Sequence, residues 1–583
     1  MPSELGQLAC LRTLPFSNLG ENKGQKIEEL RNLKYLSGRL EIGNLGLVND
    51  KEGAECANLS EKPNIHELTF AWCENRRDQS RDNGVLEGLK PHPNLKGLIV
   101  NNFMGNQLSS WISELRNLVK LKLSNCRRCK EIPALGHLLF LQHLELVGLD
   151  DITSIGPSFY GYDNTDGSSN NSGSGQVVVK LFRALKCLVL NDMANLIEWM
   201  GFEADMMAPI APVVVFPILE ELIIHRCPKL TTVPSQFTSL KKLEINYVNH
   251  GLQVLTKICS KVITLTHLLL NTVQGLTSLP EWLLHNNTNL TKLSLFNCLD
   301  LEYVVSHNRD FSACFQTLEI HSRVLMSHNT DGLGSLESLY ILRCPKLKSI
   351  QIQSRYLISL QHLIISECDG LIHLSTDIIM SSTSLDRFEV SKCSNLISFP
   401  INLEQTHSLS FLRLSECVKL ANIPKGICCL TNLWHLEIGP FSNSLDFNSF
   451  RDVFNGLEQL SKSLLRLHLY GWPHWESLPD QLQHLSALQE FKLSDFGVIS
   501  LPDWFGKLFS LEKLCVYRCE KLEYLPTEIA MRRLTKLSQL YIVDCPLLKE
   551  RCRTQSDSNP EWCKISRIPE IMIPGVQIER KYF

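Results

Sequence analysis

The chain has 583 residues, more than the ~250–300 at which a single globular core stops growing, so it holds several domains or an extensible repeat. With 44% hydrophobic and 20% charged residues and a formal net charge of −3, it carries neither the signature of wholesale disorder nor a footprint for nucleic acid or an anionic membrane. No apolar run approaches the ~20 residues that span a bilayer.

The N-terminal stretch MPSELGQLACLRTL has no basic n-region, apolar h-region or small-residue cleavage site, so no secretory signal is read. Its Met1-Pro2 stands where the closing turn of an earlier repeat would stand, which suggests an opening in mid-repeat. The 21 cysteines, an odd number, are expected to be thiols in a reducing compartment. The expected location is the cytoplasm or the nucleus.

A repeat runs along the rest. LEELIIHRCPKLTTVP from Leu219, LDRFEVSKCSNLISFP from Leu385, LSFLRLSECVKLANIP from Leu409 and LEKLCVYRCEKLEYLP from Leu511 share the frame L-x-x-L-x-L-x-x-C-x-x-L-x-x-[LIVF]-P. About 21 segments fit its first half, beginning near Leu11 and Leu33, including one at Phe315, and ending near Leu537. Their usual spacing falls in the leucine-rich-repeat range of ~20–29 residues. L-x-L alternation puts both leucines on one face of a short strand, and such a strand buries that face only by stacking on neighbours. The proline suits the returning leg, because it has no N–H for a ladder. The predicted fold class is α/β: a horseshoe-shaped leucine-rich-repeat solenoid with a long parallel concave β-sheet and an irregular or short-helical convex side.

Ten cysteines fall on the motif position (Cys73, Cys126, Cys227, Cys298, Cys344, Cys368, Cys393, Cys417, Cys519 and Cys545), where each is expected to point inward as a small hydrophobe. The solenoid is expected over 1–545, with insertions near 150–184, 200–216 and 440–462. The first contains a Gly/Ser/Asn tract from Gly167 to Gly175, and the third has helical apolar spacing in SLDFNSFRDVFNGLEQL. Residues 546–583 leave the repeat as a cap or tail.

Several stretches together resemble one family. IEELRNLKYLSGRLEIGNLGLVNDKEGAECANLSEKPNIHELTFAW (Ile27 to Trp72), VLEGLKPHPNLKGLIVNNFMGNQLSSWI, NCRRCKEIPALGHLLFLQHLEL, FYGYDN, FPILEELIIHRCPKL and the tail's Glu561-Trp562 and Ile568-Pro569 are similar in order to the leucine-rich-repeat region of plant coiled-coil nucleotide-binding resistance proteins. Phe103, Ser109-Ser110 and Arg567 depart from that pattern. The resemblance implies a non-catalytic recognition and regulatory region of an intracellular immune receptor. Its expected partners are proteins: a pathogen effector or a guarded host protein, and a nucleotide-binding module held inactive, either in trans or with the sequence a fragment of a longer gene. The coiled coil and nucleotide-binding module themselves are missing. No G-x-x-x-x-G-K-[ST] occurs, and Gly20 to Lys26 has the wrong spacing, so no nucleotide or other cofactor is expected.

Other chemistry is thin. Cys126-Arg-Arg-Cys129 lacks a second pair at zinc spacing, the 18 histidines are scattered, and no nucleophile elbow appears; no metal site and no enzyme is expected. The side chains flanking the strand leucines should project from the concave face, where aromatic and Arg residues anchor partners. The candidates for partner binding are Tyr340, Arg343, Arg413, Trp434, His435, Arg466, His468, Tyr470, Tyr517 and Tyr541. The rival readings are a stand-alone interaction scaffold or substrate adaptor, for which an F-box cluster is missing, and a receptor ectodomain, for which signal and capping cysteines are missing.

Overall fold

A computed structural model describes the chain except residues 1–4, 23, 74–80, 162–178, 202–212, 307–334, 351, 353–356, 376–381, 400–402, 422, 554–558 and 577–583. Met1-Pro2, the Gly167–Gly175 tract, part of the 200–216 insertion and the segment from Phe315 lie outside the described residues. The protein is a leucine-rich-repeat solenoid that packs as two compact units. One is Met1–Leu276 with Trp282–Leu290; the other is Thr277–Glu281 with Thr291–Phe583.

Among the described residues, twenty-one parallel ladder strands carry the repeat. In the first unit they are β1 (Phe16–Asn18), β2 (Gly38–Gly43), β3 (Ile65–Ala71), β4 (Gly97–Asn101), β5 (Lys120–Ser124), β6 (His143–Val147), β7 (Cys187–Asn191), β8 (Glu221–His225), β9 (Lys242–Val248) and β10 (His267–Val273). In the second they are β11 (Lys292–Phe296), β12 (Ser338–Leu342), β13 (His362–Ser366), β14 (Arg387–Ser391), β15 (Phe411–Ser415), β16 (His435–Gly439), β17 (Arg466–Tyr470), β18 (Glu490–Ser494), β19 (Lys513–Tyr517), β20 (Gln539–Val543) and β21 (Glu570–Met572). β11 pairs with β12, with Ser294 opposite Tyr340.

Within each unit the two L-x-L side chains of a strand are buried and the residues between them face outward, as in Leu412 and Leu414 of β15 around Arg413. Most strands then end on a residue in the left-handed region, mainly not glycine: Asn125, Arg226, Arg343, Glu367, Lys392, Glu416, Arg518 and Asp544 have φ between 49° and 57°. That conformation costs about 1–2 kcal/mol per L-residue. A cross-strand hydrogen bond offsets it: the N–H of Arg343, Glu367 and Lys392 donates to the carbonyl of Ser366, Ser391 and Ser415 at 2.8–3.0 Å. The next side chain is thereby turned into the core, and that is the motif cysteine. Cys126, Cys344, Cys368 and Cys545 donate weakly to carbonyls of the preceding strand at 3.7–3.8 Å. Burial pushes the Cys227 thiol up to about 12, so it stays protonated.

Two local expectations need correction. Cys73 is exposed and donates to Asn44 Oδ1 at 2.8 Å, because Trp72 beside it, 2% exposed, fills the inward space. In the first repeat the strand begins only after Pro15, which has no N–H to donate, so Ser17 and Leu19 are buried in place of Leu14 and Phe16.

The insertions are tied down by small additions. Near 150–184, the helix Pro157–Tyr160 buries Phe159 and Tyr160, and the Tyr160 hydroxyl donates to the Met200 carbonyl at 2.8 Å. Val179–Leu181 pairs with Val213–Val215 beside the ladder. Phe182, Phe216 and Phe237 stack at centroid distances of 5.1 and 5.7 Å. In 440–462 the predicted helix forms over Phe447–Asp452, capped by Asp446, whose side chain accepts from the Ser449 N–H at 2.9 Å; Phe450 packs on Trp475 at 4.7 Å. Past Cys545 come two short helices, Pro546–Arg551 and Pro560–Ile565, and then β21, which pairs with β20. Among the described residues no helix is long and apolar enough to cross a membrane.

Candidate recognition face

Register decides which outward side chains meet. On the open face of the second unit Phe411, His435, Arg466, Glu490 and Lys513 are successive partners, and beside them run Arg413, Glu437, His468, Lys492 and Cys515. Five of the sequence-derived candidates, Arg413, His435, Arg466, His468 and Tyr470, therefore lie on the adjacent strands β15, β16 and β17. Trp434 stands immediately before β16, and Tyr517 lies two strands beyond β17. The structure does not bring all ten together: Tyr340 is on β12, three strands before β15, and Tyr541 is on β20. Arg343 lies past the end of β12, where its Nε donates to Glu367 Oε2 at 2.9 Å.

Stacked rings and ion pairs organise the patch. The Arg387 guanidinium sits 3.9 Å above the Phe411 ring, which stacks on His435 at 4.2 Å with an interplanar angle of 4°. His435 meets His468 edge-on at 5.0 Å, and Trp434 lies 5.8 Å from Phe411 and 5.5 Å from the Arg466 guanidinium. Lys492 Nζ donates to the Tyr470 hydroxyl at 3.1 Å and stands 5.0 Å from the Tyr517 ring centre. Arg413 approaches Glu437 at 3.1 Å, Arg466 approaches Glu490 at 3.5 Å, and Arg387 pairs with Glu389.

The centre is drier than its surroundings. His435, Glu437 and Tyr470 are 6%, 5% and 9% exposed, whereas Arg466 is exposed. Burial alone would raise the Glu437 carboxyl, but His435, His468 and Arg413 together hold it well below the usual carboxylate range. Burial lowers the His435 pKa, only partly opposed by Glu437, so its imidazole is neutral at neutral pH. Burial, with the nearby Cys515, pushes the Tyr517 phenol up to about 12. Phe411, Arg387, Glu437 and Glu490 belong to this patch although sequence reading did not select them. Their signal was present: each occupies an outward slot of a neighbouring repeat.

The repeats also match known ones. The family model for R13L1/DRL21 leucine-rich repeats matches residues 27–149 and 473–545. Those two stretches are similar to the repeats of that family. The chain is 32% identical over 303 residues to the putative disease resistance protein RGA1 of Solanum bulbocastanum, a match covering 51% of this chain and 28% of that protein. It is 30% identical over 234 residues to the putative disease resistance RPP13-like protein 1 of Arabidopsis thaliana, covering 38% and 21%. The chain thus spans under a third of these relatives. A solved Leptospira interrogans leucine-rich-repeat protein is similar across 97% of this chain, with 16% identity and a TM-score of 0.45.

Proposed function

We propose that the chain is the recognition and regulatory region of an intracellular plant immune receptor, acting in the cytoplasm or nucleus without catalysis of its own. The observation that carries this reading is the aromatic and arginine patch on β14 to β19, in a chain whose relatives are disease resistance proteins. Trp434, Arg466 and Tyr517 have the chemistry of interface anchors, and the buried core of the patch holds its ion pairs preformed, so little ordering is left to binding. The partner is a pathogen-derived protein or a host protein that such a protein alters. A nucleotide-binding module is the second partner, held inactive and released when ligand contact favours the free state by differential affinity.

The test is expression in a susceptible leaf, comparing the chain with a Trp434→Ala/Arg466→Ala/Tyr517→Ala variant after infection. The unaltered chain is expected to change the course of infection and to co-purify with one or a few proteins that the variant loses. The far-UV spectrum should be the same for both. An identical response and identical co-purifying proteins would remove recognition from this face.

A further inference from the structure

Three side chains able to ligate a metal ion converge at the dry centre of the patch. His435 and Glu437 are two residues apart on β16 and so share its open face, and His468 on β17 is the register partner of Glu437. One ligand atom from each lies within 4.8 Å of the others. Glu437 Oε2 is 3.8 Å from His435 Nε2 and 3.6 Å from His468 Nδ1. These spacings are too long for hydrogen bonds. A tetrahedral ion with ligands at about 2.1 Å spaces them roughly 3.4 Å apart, so small side-chain rotations would close a coordination shell.

The hydrogen-bond inventory points the same way. Both ring nitrogens of His435 are buried without a hydrogen-bond partner, and its residue is 6% exposed. A buried imidazole left so is anomalous, because buried polar atoms nearly always have partners. Its ring plane is fixed by the Phe411 stack at 4.2 Å. His468 Nε2, 3.5 Å from Glu490 Oε1, is likewise buried without a hydrogen-bond partner. Arg413 takes the other carboxylate oxygen of Glu437 at 3.1 Å and leaves Oε2 to the histidines.

We propose that His435, Glu437 and His468 form a binding site for a zinc-type divalent transition metal ion, with its remaining coordination position toward the open face. Two imidazoles and one carboxylate suit zinc, cobalt(II) or nickel(II), and they do not suit calcium or magnesium, which take oxygen shells. The ion would cross-link β16 to β17 across the long connection that holds the Phe447–Asp452 helix.

The chain's thiols could also take up metal, so the probe is cobalt(II), titrated into the purified full chain with a non-chelating reductant present. One equivalent is expected to bind with the visible bands of a four-coordinate nitrogen–oxygen site and no thiolate-to-cobalt charge transfer. Zinc should displace it. His468→Gln should weaken binding at least tenfold, while Cys393→Ser, in the core, should leave it unchanged. Absence of binding, a thiolate charge-transfer band on the bound equivalent, or undiminished affinity in a folded His468→Gln chain would each overturn the site. Glu437→Gln is the second variant, and where either variant loses its far-UV spectrum the unaltered chain's cobalt spectrum decides alone.

Discussion

At the scale of single residues, the least expected side chain is Lys62, only 1% exposed, whose Nζ approaches the Arg31 carbonyl at 3.4 Å. Burial lowers its pKa to about 8, against the weaker opposing pull of Glu61. Because the folded value lies below the unfolded one, the unfolded chain binds more protons between them, and stability rises with pH across that window. Below it the charged amine costs on the order of 3 kcal/mol. Lys62→Met is therefore expected to be more stable than the unaltered chain near neutral pH, with the gap closing largely by about pH 10 in urea titrations. A gap independent of pH would refute the assignment. Lys62 was not legible in the sequence, where a lysine between repeats reads as surface. The candidate site was half legible for a related reason. The outward slots could be read from L-x-L, which found Arg413 and His435, but a pairing such as Glu437 with His468 depends on register across a connection that breaks the repeat length.

Secondary-structure elements were read best where side chains dictate them. The inward leucines and motif cysteines place nearly every ladder strand, whereas β21 is held mainly by backbone pairing and by Tyr541 donating to Glu570, and its sequence lacks the repeat frame. The helix Pro560–Ile565 brings that strand into position through a buried clamp. Glu561 accepts from the Leu525 N–H at 2.9 Å and from Lys564 Nζ at 2.7 Å, while Lys564 also donates to the Leu525 carbonyl at 3.1 Å. Removing one member of a buried pair leaves the other charge uncompensated and costs ~3–5 kcal/mol. Glu561→Ala should release the tail, seen as lost amide protection in β21 and new protease cleavage after residue 553. Glu561→Gln/Lys564→Met, which keeps a side-chain acceptor for the Leu525 N–H without the stranded charge, should recover most of the protection. Equal protection in Glu561→Ala and the unaltered chain would show that packing of Trp562 and Ile565 suffices.

For the whole molecule, a repeat architecture makes stability a sum of local terms between neighbours. Phe216 sits between Phe182 and Phe237 in the ring stack of the first unit, and its left-handed φ of 55° is tolerable because that packing holds it. Phe216→Ala should cost ~3–5 kcal/mol. By hydrogen exchange the loss should appear in β7, β8 and β9 and leave β15 to β19 as protected as before. Uniform loss across both sets would mean that the chain unfolds as one cooperative block.

The left-handed residues that close the strands have a consequence for how such a chain can change over generations. Backbone hydrogen bonds at these residues, with the inward cysteines and a few asparagine side chains, turn each strand inward, and the neighbouring outward side chains contribute little to that turn. Heritable variation can therefore replace Tyr340, Arg466 or Tyr517 one at a time with little penalty to folding, which the proposed recognition role would favour. His435 and Glu437 are the exception. Buried among their neighbours, they make β16 the point where novelty would be filtered most severely.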